Sequence, residues 1–211
     1  MWIRNTIEGG GLAGRLRRLI GPPADPTSAV RAVMFTDIVG FTRLAETLAP
    51  QAVHAFLDRH VRLLSKAIHD HGGTVEKVVG DGMVAYWDLR DGRRPLPALP
   101  AALLIRRLIG HDNARRGTSG EPPVRLRVGL HAGPVHRAPL GGRQTLCGDT
   151  VNVTQRLEDA ARHLRPAPEV AILASDVVVA GAGAGYRFRD LGPLAMRGRD
   201  QTVRAYALDD G

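Results

Sequence analysis

The chain has 211 residues, 44% of them hydrophobic, enough for one well-cored domain with a leader and too few for two ordinary domains. A net charge of +8 raises nucleic acid as a partner, but aromatics make up only 4% and the basic residues are scattered, so no nucleic-acid-binding module is read. The single cysteine, Cys147, excludes an intrachain disulfide framework and a Cys-rich zinc site, fits a cytoplasmic location, and leaves oxygen ligands for any metal.

In chain order, residues 1–28 read as a leader: a glycine triplet, a basic apolar helix over Leu12–Ile20, then a linker carrying prolines 22, 23 and 26. Its helical face of Leu12, Leu16, Leu19 and Ile20, with arginines beside it, suits docking on a partner or an acidic membrane surface, or loose packing on its own domain. No apolar run reaches the roughly 18 to 20 residues of a transmembrane segment.

Residues 29–211 read as one folded domain. Val30–Phe35 is a buried strand that breaks at Asp37 and Gly40, and Phe41, Leu44, Ala45 and Leu48 then take helical spacing. Asp37 therefore stands at a strand end beside helix-start amides, an acid for a cation next to donors for a phosphate. Ala52–Ile68 is an amphipathic helix ended by His71-Gly72-Gly73. Strands Thr74–Val79 and Met83–Trp87 flank Gly80-Asp81-Gly82, placing a second acid at a second tip.

Arg93–Pro100 reads as a loop, Ala101–Asn113 as a helix, Arg116–Pro123 as a loop and Val124–Leu130 as a half-buried strand. Gly141-Gly142 marks a turn, Asp149–Leu164 a helix, and Tyr186–Leu191 and Val203–Leu208 strands around a Gly192–Asp200 loop. The order predicts an α+β fold: a ferredoxin-like βαββαβ core with extra strands, its mainly antiparallel sheet carrying helices on one face.

Two lone aspartates, if their strands are neighbours, suit hard divalent cations that also take substrate phosphates; each alone is more often a turn former or helix cap. Asn152 and Arg156 lie four apart on one helix face. Lys77 is one of two lysines in a chain with 27 arginines, a compact charge in mid-strand; the plainer reading pairs it with Glu76. His131 reads as structural.

FTDIVGFT, VEKVVGDGMVAYW and TLCGDTVNVTQRLE, in this order, resemble the class III nucleotidyl cyclases, with the likeness running from about Val30 to Leu208. The 44-position spacing of Asp37 and Asp81 agrees with it, as does the place of Lys77 four residues before Asp81. The resemblance implies a homodimeric catalytic domain making cyclic AMP and pyrophosphate from ATP. Asp37, Asp81 and the carbonyl of Ile38 would bind two divalent cations, Mg²⁺ or Mn²⁺, and the amides of Gly40, Phe41 and Thr42 would meet the phosphates. Lys77 and Thr145 would read the base, Asn152 would orient the ribose, Arg156 would stabilise charge on the α-phosphate, and Arg199, or Arg197, would contact the terminal phosphates. Thr145 stands where many adenylyl cyclases carry aspartate, which looks like the class IIIb branch. A guanylyl cyclase would more typically show Glu and Cys at positions 77 and 145. A relative with another nucleotide substrate, or a catalytically silent nucleotide-sensing module, are the rival expectations.

Overall fold

The computed structural model describes residues 2–3, 28–89, 96–195 and 202–209. The predicted leader helix lies outside the described residues, although Trp2–Ile3 forms a short strand, β1. The first core strand, β2 (Ala29–Ile38), runs past Asp37 and stops before Gly40, which takes φ of +76° and opens helix α1 (Phe41–Thr47). Leu48, expected at helical spacing, is extended and ends α1, and Pro50 sits in the first turn of α2 (Pro50–Asp70), which starts two residues before the expected Ala52. The hairpin of β3 (Thr74–Val79) and β4 (Gly82–Asp88) follows.

Helix α3 (Ala98–Thr118) takes in part of both flanking segments that the sequence suggested were loops; Pro100 is tolerated in its first turn, where no intrahelical bond is lost. Strand β5 (Leu126–Leu140) continues well beyond Leu130 and pairs with β6 (Arg143–Cys147). Helix α4 (Asp149–Ala160), strand β7 (Val170–Ser175), helix α5 (Asp176–Gly181), strand β8 (Phe188–Leu194) and strand β9 (Val203–Leu208) complete the chain. The sheet order is β1-β8-β9-β7-β5-β2-β4-β3, with β6 attached to β5. Within it β5-β2-β4-β3 has the ferredoxin-like order, each strand antiparallel to its neighbour, while β7 lies parallel to β5.

Alternation along β2 divides the core. Ala32 and Met34 face α2 and α3 in the larger apolar cluster, with Trp87, Leu126, Val128 and Leu130. Val33 and Phe35 face the other way, with Val84, Tyr86, Val135 and Leu146. The expected α+β fold is present, but helices do not all lie on one face. Helix α4 packs through Val153 and Leu157 against Ala171, Leu173 and Ala205 on the opposite side. Two glycines on β5 admit it: a Cβ on Gly129 would lie 2.3 Å from the Thr154 carbonyl oxygen, and one on Gly133 would lie 2.5 Å from Thr150 Oγ1. No helix among the described residues is long and apolar enough to cross a membrane.

Candidate active site

The antiparallel pairing of β2 with β4 aligns Thr36 with Met83, and this brings the end of β2 against the β3–β4 turn. Asp81 in that turn accepts a hydrogen bond from the Ile38 N–H at 3.1 Å through Oδ2. Its carboxyl is raised above the ordinary aspartate value by burial and then by the negative charge of Asp37. Two acids, one near the end of β2 and one in the β3–β4 turn, thus share one corner, where their like charges oppose each other. Ile38 follows Asp37 directly and touches Asp81 through its N–H, so it belongs to the same corner. Among the described residues no group of three or more His, Cys, Asp or Glu forms a self-contained metal site. Two carboxylates are oxygen donors of the kind that hard cations take together with water and substrate oxygens. Helix α1 opens beside this corner, with no side chain capping its first amides at Gly40, Phe41 and Thr42.

The sequence reading missed two residues here. Arg127 on β5 stands opposite Asp37 in register and donates to Asp37 Oδ2. Glu158 on α4 approaches from the other side, with its Oε1 2.8 Å from Arg127 Nε, although neither atom is aligned for a hydrogen bond. The Glu158 side chain is 9% exposed, and burial, partly opposed by Arg127, pushes its carboxyl up to about 7.

Lys77 and Thr145 lie on different ribbons. Val75 pairs with Ala85 but Lys77 pairs with Val84, so Glu76 is the extra residue of a bulge. Regular alternation would put Lys77 on the side of Val75, toward α2; the bulge turns it to the side of Val84 and Leu146. Lys77 is exposed and Thr145 half-buried. The Glu76 carboxylate turns away from Lys77 and accepts a hydrogen bond from the Leu146 N–H at 3.1 Å. It is Glu76, the neighbour of Lys77, that engages the strand carrying Thr145.

On α4, Thr150, Val153, Thr154, Leu157 and Glu158 are buried, whereas Asn152 is exposed and Arg156 half-buried. Asn152 and Arg156 share an outward face, and Arg156 borders a shallow cleft with Asp159, Arg162, His163 and Leu194. The structure brings Asp37, Ile38 and Asp81 together, joins the strands of Lys77 and Thr145 through Glu76, and sets Asn152 beside Arg156 on one helix face. It does not turn the last pair toward the acids of the same chain. Arg199 and Arg197 lie outside the described residues. His131, buried with Nδ1 2.7 Å from Ser175 Oγ, belongs to the packing at the start of α5.

A family described as the adenylate and guanylate cyclase catalytic domain matches residues 24–210. Adenylate cyclase 1 of Rhizobium meliloti (strain 1021) is 32% identical over 212 residues, covering 98% of this chain but only 30% of that protein. The crystal structure of the adenylyl cyclase CyaB from P. aeruginosa superposes with a TM-score of 0.72 at 26% identity, over 87% of this chain and 95% of that one. The guanylyl cyclase Cya2 has the same fold, with a TM-score of 0.70 at 21% identity over 86% of this chain and 92% of that one.

Proposed function

Because this chain belongs to the adenylate and guanylate cyclase catalytic-domain family, we propose that it converts ATP into 3′,5′-cyclic AMP and pyrophosphate, at sites shared between the two copies of a homodimer. The observation that carries this reading is the division of its chemical groups. The acids meet at one corner beside the Gly40 loop, whereas Asn152 and Arg156 face outward from α4; in this reading the latter pair, with Lys77 and Thr145, would supply the complementary half.

Asp37, Asp81 and the Ile38 carbonyl would hold two cations, Mg²⁺ or Mn²⁺, which when bound supply Lewis-acid polarisation of the ribose 3′-hydroxyl and the phosphates. The amides of Gly40, Phe41 and Thr42 orient the triphosphate tail, with Arg199 as the proposed further contact. From the second copy, Asn152 holds the ribose so that its 3′-oxygen lies in line with the α-phosphorus, and Arg156 donates to the α-phosphoryl oxygens as charge gathers there. Lys77 donates to adenine N1 and the Thr145 hydroxyl accepts from the 6-amino group. Guanine presents a donor at N1, so Lys77 opposes it, whereas a hydroxyl rotates to suit either base. Work in the cytoplasm fits the chemistry, since ATP is the substrate.

Incubation of the purified chain with ATP or GTP and either metal, followed by chromatography, tests the assignment. Cyclic AMP should dominate, and Lys77→Glu should narrow or invert the ATP/GTP ratio of kcat/KM. Equal cyclisation of GTP by the wild type would replace adenylyl with guanylyl or mixed specificity, and the absence of any cyclic product would favour a nucleotide-sensing module.

A further inference from the structure

The two groups assigned to the base, Lys77 and Thr145, sit on ribbons that share no strand pairing: β3 is bonded to β4 and β6 to β5. Their separation must nevertheless be held to within a fraction of an ångström for a purine edge to be read, because a misplaced donor is worth little. Glu76 spans this gap. The bulge that adds it to β3 directs its side chain, only 5% exposed, toward the β5–β6 arm. There Oε1 accepts from the Leu146 N–H at 3.1 Å, and Oε2 lies 3.5 Å from Arg137 Nη2. Leu146 and Arg137 are themselves cross-strand partners, so one carboxylate grips both strands of the arm. Arg137 is in turn held by Tyr86 on β4, donating to its hydroxyl at 3.3 Å with the guanidinium 5.8 Å from the ring centre.

We propose that Glu76 is a specificity-positioning residue, fixing the spacing of Lys77 and Thr145 and through it the choice of adenine over guanine. Lys77 follows Glu76 directly and Thr145 precedes Leu146 directly, so the clamp closes one residue from each base reader. The proposal rests on the reading of Lys77 and Thr145 given above. It assigns Glu76 no contact with nucleotide and no part in the chemistry. A buried carboxylate accepting from a backbone amide is replaced in function by a carboxamide, which keeps one carbonyl oxygen, but not by a shorter or apolar side chain.

The test compares Glu76→Ala, Glu76→Asp and Glu76→Gln with wild type and Lys77→Glu, measuring kcat and KM for ATP and GTP together with inhibition by inorganic pyrophosphate in Mg²⁺. Glu76→Ala should lower the ATP/GTP ratio of kcat/KM about ten-fold, with pyrophosphate inhibition within about two-fold of wild type, because the triphosphate half-site is untouched. Glu76→Asp, one methylene short, should shift the ratio in the same direction, and it carries the test if the alanine variant does not fold. Glu76→Gln should restore the wild-type ratio, which mere loss of a structural charge would not predict. An unchanged ratio in Glu76→Ala and Glu76→Asp while Lys77→Glu alters it overturns the clamp and leaves the base readers standing. An unchanged ratio in Lys77→Glu overturns the base reading, and the clamp with it.

Discussion

Asp37 and Asp81 were legible as residues because each ends an apolar run beside glycine, a pattern that periodicity alone exposes. Arg127 and Glu76 were not, since their meaning depends on register between segments 90 and 70 positions apart, which no local pattern carries. The acids give the plainest test at this scale: Asp37→Ala and Asp81→Ala should each lower cyclase turnover by more than about a hundred-fold, beyond the loss from disturbing a supporting residue of a metal site, while circular dichroism and Tm stay near wild type. Normal turnover of either variant in both metals would remove the two-cation reading. Burial also shapes stability against pH, with opposite signs at two sites. Glu158 is raised from 4.5 to about 7, so the folded state holds its proton more tightly. Its contribution is full below 4.5 and is lost as pH rises through about 7. His60, stacked on Phe56 and buried, is lowered by desolvation from 6.5 to about 4; its contribution is present above 6.5 and lost as pH falls through 4. Between pH 4.5 and 6.5 the two slopes oppose each other. Urea titrations of metal-free protein in EDTA should therefore show Glu158→Gln gaining stability relative to wild type from pH 4.5 to 7, and a constant difference across that range would contradict the assignment.

Elements with a clean period were readable and those cut by special residues were not. The long helix α2 and the β3–β4 hairpin follow from spacing and from Gly80-Asp81-Gly82. Strand β5 was cut short at Leu130 because Gly133 and Pro134 interrupt its apolar alternation, yet Gly133, with Gly129 before it, is the seat of α4. Strand β7 is buried at every position and lacks alternation altogether, so nothing marked it as a strand rather than a buried helical turn. Glycine substitutions separate these roles. Gly129→Ala would set a Cβ 2.3 Å from the Thr154 carbonyl oxygen and 2.5 Å from the Glu158 amide nitrogen, both backbone atoms that cannot swing aside. It should cost at least about 1 to 3 kcal/mol and shift α4 with Asn152 and Arg156 upon it, reducing activity as well as Tm. Gly110→Ala, in the interior of α3 with nothing within 4 Å of the new Cβ, should instead add about 0.5 to 1 kcal/mol. Thermal melts of the two variants side by side check the contrast; similar Tm values would mean that α4 does not owe its seat to Gly129.

At the scale of the whole molecule, the described residues put the proposed groups on two separate faces of one chain. Glu158 points from α4 toward Arg127 and the acids, whereas Asn152 and Arg156 lie on the opposite side of the same helix. A helix cannot present both faces to one ligand, and this is the reason for proposing that the groups assigned to the ribose and the α-phosphate meet the acids of another copy. In the proposed homodimer, two-fold symmetry would make two equivalent sites, each with Asp37 and Asp81 from one protomer and Lys77, Thr145, Asn152 and Arg156 from its partner. This has a consequence that a one-chain site does not share. Asp37→Ala and Arg156→Ala should each be inactive alone, because every site in either homodimer carries the lesion. In a mixed dimer both lesions fall in one site and the other is intact. With equal amounts and random exchange, half of the dimers are mixed and half of their sites work, which gives roughly a quarter of wild-type activity. Cyclic AMP production should therefore appear on mixing, rise with the time allowed for exchange, and reach its maximum at equal proportions of the two variants. Continued inactivity after subunit exchange has been demonstrated by differential labelling would place the whole site within one chain.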